Sequence, residues 1–144
     1  MYLLRTILVA GMIVFVQQAR AEDVPSFRYD VLPTLTRAGC NSGTCHGTPS
    51  GKNGFRLSLR GYDPASDWAS LTREAGGRRI DRLHPEESLV LLKATMHVPH
   101  QGGQVFTEDS KYYRIVHDWI AAGAKLNLDA PRVESIDVFP QNPA

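Results

Sequence analysis

The sequence predicts a small, mainly α domain with long irregular loops. Four stretches space their apolar residues as helices do, and the segments between them are dense in Gly, Pro, Asn and Ser. A candidate leader at the N-terminus leaves roughly 120 residues, enough for one modest hydrophobic core.

The opening "MYLLRTILVAGMIVFVQQARAED" carries Arg5 near its start, an apolar run from Ile7 to Val16, and small residues at Ala19 and Ala21 around Arg20. This is the pattern of a signal peptide, residues 1–21, cleaved after Ala21. The apolar run is about half the ~20 residues that cross a bilayer, so no stable membrane span is expected after cleavage. The expected location is exported, periplasmic or otherwise extracytoplasmic. Cleavage removes two arginines and no acid, taking the formal charge from +1 to −1. No basic stripe interleaved with aromatics is present, which argues against a nucleic-acid partner. Arg78, Arg79 and Arg82 read as a solvated loop.

Phe27, Val31, Leu32 and Leu35 define the first helix, from Ser26 to Ala38, in which Pro33 either makes a kink or marks where the regular helix begins. Gly39 stops it. Residues 41–54 read as an irregular loop, and "FRLSLRGYDP" alternates Phe55, Leu57 and Leu59 with polar residues, a short extended segment ended by Gly61. Pro64 opens the second helix with Asp63 as its cap, and the helix runs to Glu74. Pro85 opens the third, "PEESLVLLKAT", whose Glu86 and Glu87 suit the positive end of the helix dipole. "MHVPHQGGQVF", residues 96–106, is irregular. The fourth helix runs from about Thr107, as cap, to Ala122, with Gly123 as its stop and Tyr112, Ile115, Val116, Trp119 and Ile120 on its buried face. "VESIDVFPQNPA" then alternates like a lone strand without a partner.

Both cysteines lie in "GCNSGTCHG", residues 39–47. A disulfide between Cys40 and Cys45 suits an exported protein but gives no reason for His46. Zinc needs a second ligand pair that the chain does not offer in the same style. Haem accounts for more: thioether bonds from Cys40 and Cys45, with His46 carried under the iron, follow the logic of C-x-x-C-H attachment, provided that the longer spacer "NSGT" bulges out. A second axial ligand would come from "MHVPHQGG", where Met96, His97 and His100 are the candidates. His100 is preferred, because Pro99 stiffens its position and the following glycines let the backbone approach a flat cofactor. Met96 is the rival and would give a higher reduction potential. His84 and His117 read as surface residues, and Lys52, Arg56 and Arg60 read equally as partners for a haem propionate or as solvated residues.

Taken in order, "AGCNSGTCHG", "GKNGFRLSLRGYDP", "VPHQGG" and "IVHDWIAAGA" resemble the c-type cytochrome module found near the start of large exported planctomycete proteins, over about Phe27 to Ala124. In that family four residues commonly separate the cysteines. The resemblance implies a class I cytochrome c-like fold, one covalently bound haem c, and attachment roles for Cys40, Cys45 and His46. The family usually has a glycine run after the distal proline and histidine, where this chain has Gln101. The resemblance divides the chain into a leader, a haem domain at 22–126, and a tail at 127–144 similar to the first strand of an Ig-like domain. The chain would then be truncated after the cytochrome module, or one piece of a split protein.

The function expected from this reading is one-haem electron transfer to or from an unidentified redox protein, with no catalytic site. Asp63, Asp67, Glu86 and Glu87 sit at helix starts, where capping accounts for them. The alternative is a haem-free interaction domain stapled by a disulfide.

Overall fold

The computed structural model describes residues 24–127 and 134–139, so the expected leader lies outside it. The described chain is mainly helical, with a single isolated β-bridge, between Lys52 and Phe55.

The first helical stretch has two parts. Ser26 caps it, its Oγ accepting from the Tyr29 N–H at 3.3 Å, and Phe27–Val31 forms a wide π turn before α1, Leu32–Arg37. Pro33 supplies the reason. Proline has no N–H to donate, and its ring crowds the carbonyl four residues back. The wider turn, in which the Leu32 N–H reaches Phe27 O, relieves that crowding before the regular helix starts. Pro33 therefore marks the start of the regular helix.

α2, Pro64–Thr72, begins where the sequence places it, with Asp63 accepting from the Ser66 N–H at 3.1 Å, and ends two residues before Glu74. Larger differences occur later. Pro85–Glu87 makes only a 3-10 turn, Ser88 is extended, and α3 covers Leu89–Ala94. Ser88 breaks the helix because its buried Oγ accepts from the Asp81 N–H at 2.9 Å and donates to Asp81 O at 3.2 Å, closing the 81–88 loop. α4, Lys111–Ala121, is capped by Ser110, whose Oγ accepts from the Tyr113 N–H, rather than by Thr107. The Thr107 hydroxyl donates to Asp109 in an exposed turn. Gly123 ends α4 as expected, its N–H reaching Ile120 O and that of Ala124 reaching Trp119 O.

The expected extended segment departs most. Leu57 is 1% exposed, but Leu59 is 48% exposed and lies in a 3-10 turn, Leu59–Gly61. Alternation alone cannot orient a strand that has no neighbour, and here the backbone bonds go to a loop.

The core joins the two ends of the domain. Phe27 and Trp119 meet at 5.2 Å between ring centroids, among buried Val31, Leu35, Leu57, Leu71, Leu91, Val116 and Ile120. Burial of each such side chain contributes about 1.5–3 kcal/mol before conformational entropy is counted. On α4, Val116, Trp119 and Ile120 are buried while Tyr112 and Ile115 are half-buried. Trp68 Nε1 donates to Ala124 O at 2.8 Å, tying α2 to the end of α4. Asn127 Oδ1 accepts from Ser26 Oγ and the Phe27 N–H, so packed chain extends to that residue. In the described part of the tail, Ile136, Val138 and Phe139 are all exposed. No helix among the described residues is long and apolar enough to cross a membrane.

Candidate functional site

The turn that ends α1 delivers Cys40. The Gly39 N–H reaches Thr36 O at 3.0 Å and the Cys40 N–H reaches Leu35 O at 2.9 Å, satisfying carbonyls the helix leaves open. The loop then doubles back, because the His46 N–H donates to Cys40 O at 2.9 Å and the Gly47 N–H to Ser42 O at 3.0 Å. Closure this tight requires glycine at 47, where a Cβ would lie 2.2 Å from Asn41 O. Asn41 is buried, its Nδ2 donating to Thr36 Oγ1 at 2.9 Å, so "NSGT" bulges around an internal anchor.

Cys40 and Cys45 are both half-buried free thiols. Burial, with the neighbouring Cys45 adding to it, pushes the Cys40 thiol up to about 11, so it stays protonated at neutral pH.

The segment after the loop holds His46. The Leu57 N–H donates to His46 O at 2.9 Å, and His46 Nδ1 lies 3.0 Å from Phe55 O. A carbonyl can only accept, so Nδ1 carries the proton and Nε2 keeps its lone pair. Burial lowers the affinity of this imidazole for a second proton.

His100 is built in the same way on the other side of the chain. The Val98 N–H binds Leu92 O, and Lys93 Nζ donates to Pro99 O at 2.6 Å, which seats the Pro99–His100 turn beside α3. His100 Nδ1 lies 2.9 Å from Gly103 O, so Nδ1 again carries the proton. The ring rests against Gly102, where a Cβ would meet Cε1 at 2.8 Å. The rings of His46 and His100 lie 6.3 Å apart, centroid to centroid, with their planes 8° from parallel.

The other candidates lie elsewhere. Met96 is 44% exposed at a backbone φ of +68°, and His97 Nδ1 faces Glu108 Oε1 at 3.2 Å and Thr95 Oγ1 at 3.2 Å. His84 is exposed beside Asp81, and His117 is half-buried beside Asp118 and the Tyr113 ring. Lys52, Arg56 and Arg60 are exposed, and Arg60 lines an open cleft with Thr36, Asn41, Ser42, Gly43 and Leu59.

Two residues have roles that the sequence reading did not assign. Arg79 is not solvated: it is 5% exposed, with Nη1 donating to Ser70 O at 2.8 Å and Glu74 O at 3.2 Å, and Nη2 to Gly54 O at 2.7 Å. Its guanidinium stands 4.6 Å over the Phe55 ring, which is itself 4.4 Å from His46. Asp67, read as a capping residue, is buried instead, its carboxylate accepting from the Ser58 N–H and from Ser58 Oγ at 2.7 Å. Burial raises its pKa, against the opposing pull of those two bonds. No local signal marks Arg79, since its three acceptors are backbone carbonyls.

Compared with protein-family models, curated proteins and solved structures, the chain gives no match in any of the three.

Proposed function

We propose that the chain is an exported mono-haem c-type cytochrome domain of the class I kind, carrying single electrons to or from a redox partner protein. The observation that carries this reading is the His46–His100 pair, two near-parallel imidazoles 6.3 Å apart with each Nδ1 satisfied by a backbone carbonyl. Metal–imidazole bonds of about 2.0–2.1 Å through Nε2 on either side of one ion put the ring centroids roughly 6 Å apart. The donor set fits haem c: Cys40 and Cys45 supply two thiols from one short loop, and His46 follows directly. Bound there, haem supplies a one-electron Fe(III)/Fe(II) couple. The protein's part would be to keep the proton of each imidazole on Nδ1 through the carbonyls of Phe55 and Gly103, which leaves both Nε2 lone pairs available as ligands.

On this reading Cys40 and Cys45 would each add across a haem vinyl group, sulfur to one carbon and the thiol hydrogen to the other, with nothing lost. The full-length protein, produced with cytochrome maturation machinery, should give a c-type pyridine haemochrome spectrum that survives denaturation and solvent extraction. Colourless protein, or haem lost on extraction, would overturn the proposal in favour of the haem-free interaction domain.

A further inference from the structure

Arg79 is the one arginine among the described residues with less than a tenth of its surface exposed, and the electron-transfer reading gives it no task. A buried guanidinium is costly unless its donors are satisfied, and here three carbonyls satisfy them: Ser70 O in α2, Glu74 O just beyond it, and Gly54 O. Gly54 directly precedes Phe55, whose carbonyl takes the His46 proton at 3.0 Å. The guanidinium also covers the Phe55 ring at 4.6 Å, and that ring touches the imidazole at 4.4 Å. Arg79 therefore clamps the backbone that orients His46 to α2, beside the bond that Ser70 Oγ of α2 donates to Arg56 O at 2.7 Å. No carboxylate lies within ion-pair distance of Arg79 among the described residues; carbonyl dipoles satisfy its donors, and the charge of Glu74 acts on it from further away.

We infer that Arg79 is a positioning residue for the proximal ligand: it fixes the Gly54–Phe55 backbone that holds His46 Nδ1, and its buried positive charge, not closed into an ion pair, favours the reduced iron. This inference rests on the proposed haem site. The direction follows from Coulomb's law, because a fixed positive charge opposes the more positive oxidised centre more strongly than the reduced one.

The test compares Arg79→Met, which keeps length and loses charge, with Arg79→Lys, which keeps charge and loses the fork, both as full-length holoprotein. We expect the Arg79→Met reduction equilibrium to move about tenfold toward the oxidised form, about 59 mV for a one-electron couple, while Arg79→Lys stays within about threefold of wild type by the same charge argument. In both variants the His46 Nδ1 proton, followed by NMR in the reduced state, should exchange with solvent at least about tenfold faster, with the Ile120 amide in α4 unchanged. An unshifted potential in Arg79→Met overturns the electrostatic role. If Arg79→Met does not fold, a potential displaced tenfold in Arg79→Lys does the same. Exchange that speeds up equally at His46 and Ile120, or at neither, overturns the positioning role. Wild-type protein without haem would refute the proposed function instead, and the proton-exchange measurement would still read the Arg79–His46 linkage in the haem-free chain.

Discussion

His46 and His100, from opposite halves of the chain, bring their imidazole planes within 8° of parallel at 6.3 Å, each with Nδ1 held by the carbonyl of a different loop. Neither histidine depends on the other for this geometry. The ring of His46 is set by the Phe55 segment and that of His100 by its own Pro99–Gly103 turn. Two independently built imidazoles are what a shared axial ion requires.

If they ligate haem as proposed, removing one of them should open the iron. His100→Ala is expected to turn a low-spin spectrum into one that binds carbon monoxide or imidazole, whereas Met96→Ala leaves it unchanged, because Met96 is 44% exposed. Oxidised wild type should lack the weak long-wavelength absorption of a methionine-ligated haem. Loss of the low-spin state in Met96→Ala alone would assign the distal position to Met96.

The cysteines are read by intact mass. If haem is attached as proposed, the protein should exceed its polypeptide by the full mass of one haem, and Cys40→Ser should retain haem through one thioether only. In haem-free protein Cys40 should react slowly with iodoacetamide at pH 8, since burial pushes its thiol up to about 11. A mass lower by two hydrogens would indicate the disulfide instead.

Gly47→Ala should damage the loop from within. A Cβ there would sit 2.2 Å from Asn41 O, a backbone atom that cannot swing aside. Overpacking of this kind costs about 1–3 kcal/mol, to be read as a lowered urea midpoint, with haem incorporation falling alongside. A midpoint unchanged within error would mean that the loop has slack.

Asp67 should give stability an acid-side slope. Its folded pKa is raised above the ordinary carboxylate value, so the folded state holds the proton more tightly than the unfolded chain. Its contribution is full below the unfolded pKa and falls as pH rises through the folded one. Asp67→Asn, which still accepts from the Ser58 N–H, should flatten the urea midpoint against pH on the side above the ordinary carboxylate pKa. Asp67→Ala leaves that buried donor unpaired and should cost about 1–3 kcal/mol. A slope that persists in Asp67→Asn would assign it to another group.

Deleting residues 128–144 should change neither the visible spectrum nor the melting temperature by more than a degree or so, on the expectation that exposed residues such as those at 134–139 contribute little. Ile136, Val138 and Phe139 touch no core, whereas Asn127 accepts bonds from Ser26 and Phe27. Extending the deletion by one residue, to remove Asn127 as well, should lower the melting temperature measurably.

Local chemistry made much of this molecule legible in advance. Asp63 before Pro64, Gly39 and Gly123 after their helices, and the Val116–Trp119–Ile120 face act through neighbours a few residues away, and each is found in place. The stiffness that Pro99 lends to His100 is likewise a property of the peptide bond itself. Where two local signals competed, the sequence could not choose. Thr107 and Ser110 are both competent caps, and Pro85 opens a turn that Ser88 then breaks in order to bond Asp81. The alternation of Phe55, Leu57 and Leu59 named no inward face, since a strand without a partner acquires one only from what it lies against. Arg79 shows the limit most plainly: three basic residues in a glycine-rich stretch look alike in one dimension. Only the approach of Ser70, Glu74 and Gly54 carbonyls to a single guanidinium makes one of them interior, because backbone acceptors leave no mark in the sequence. The spacing of His46 and His100 belongs to the same class, set by how two loops distant in sequence are each pinned so that their imidazoles meet at 6.3 Å.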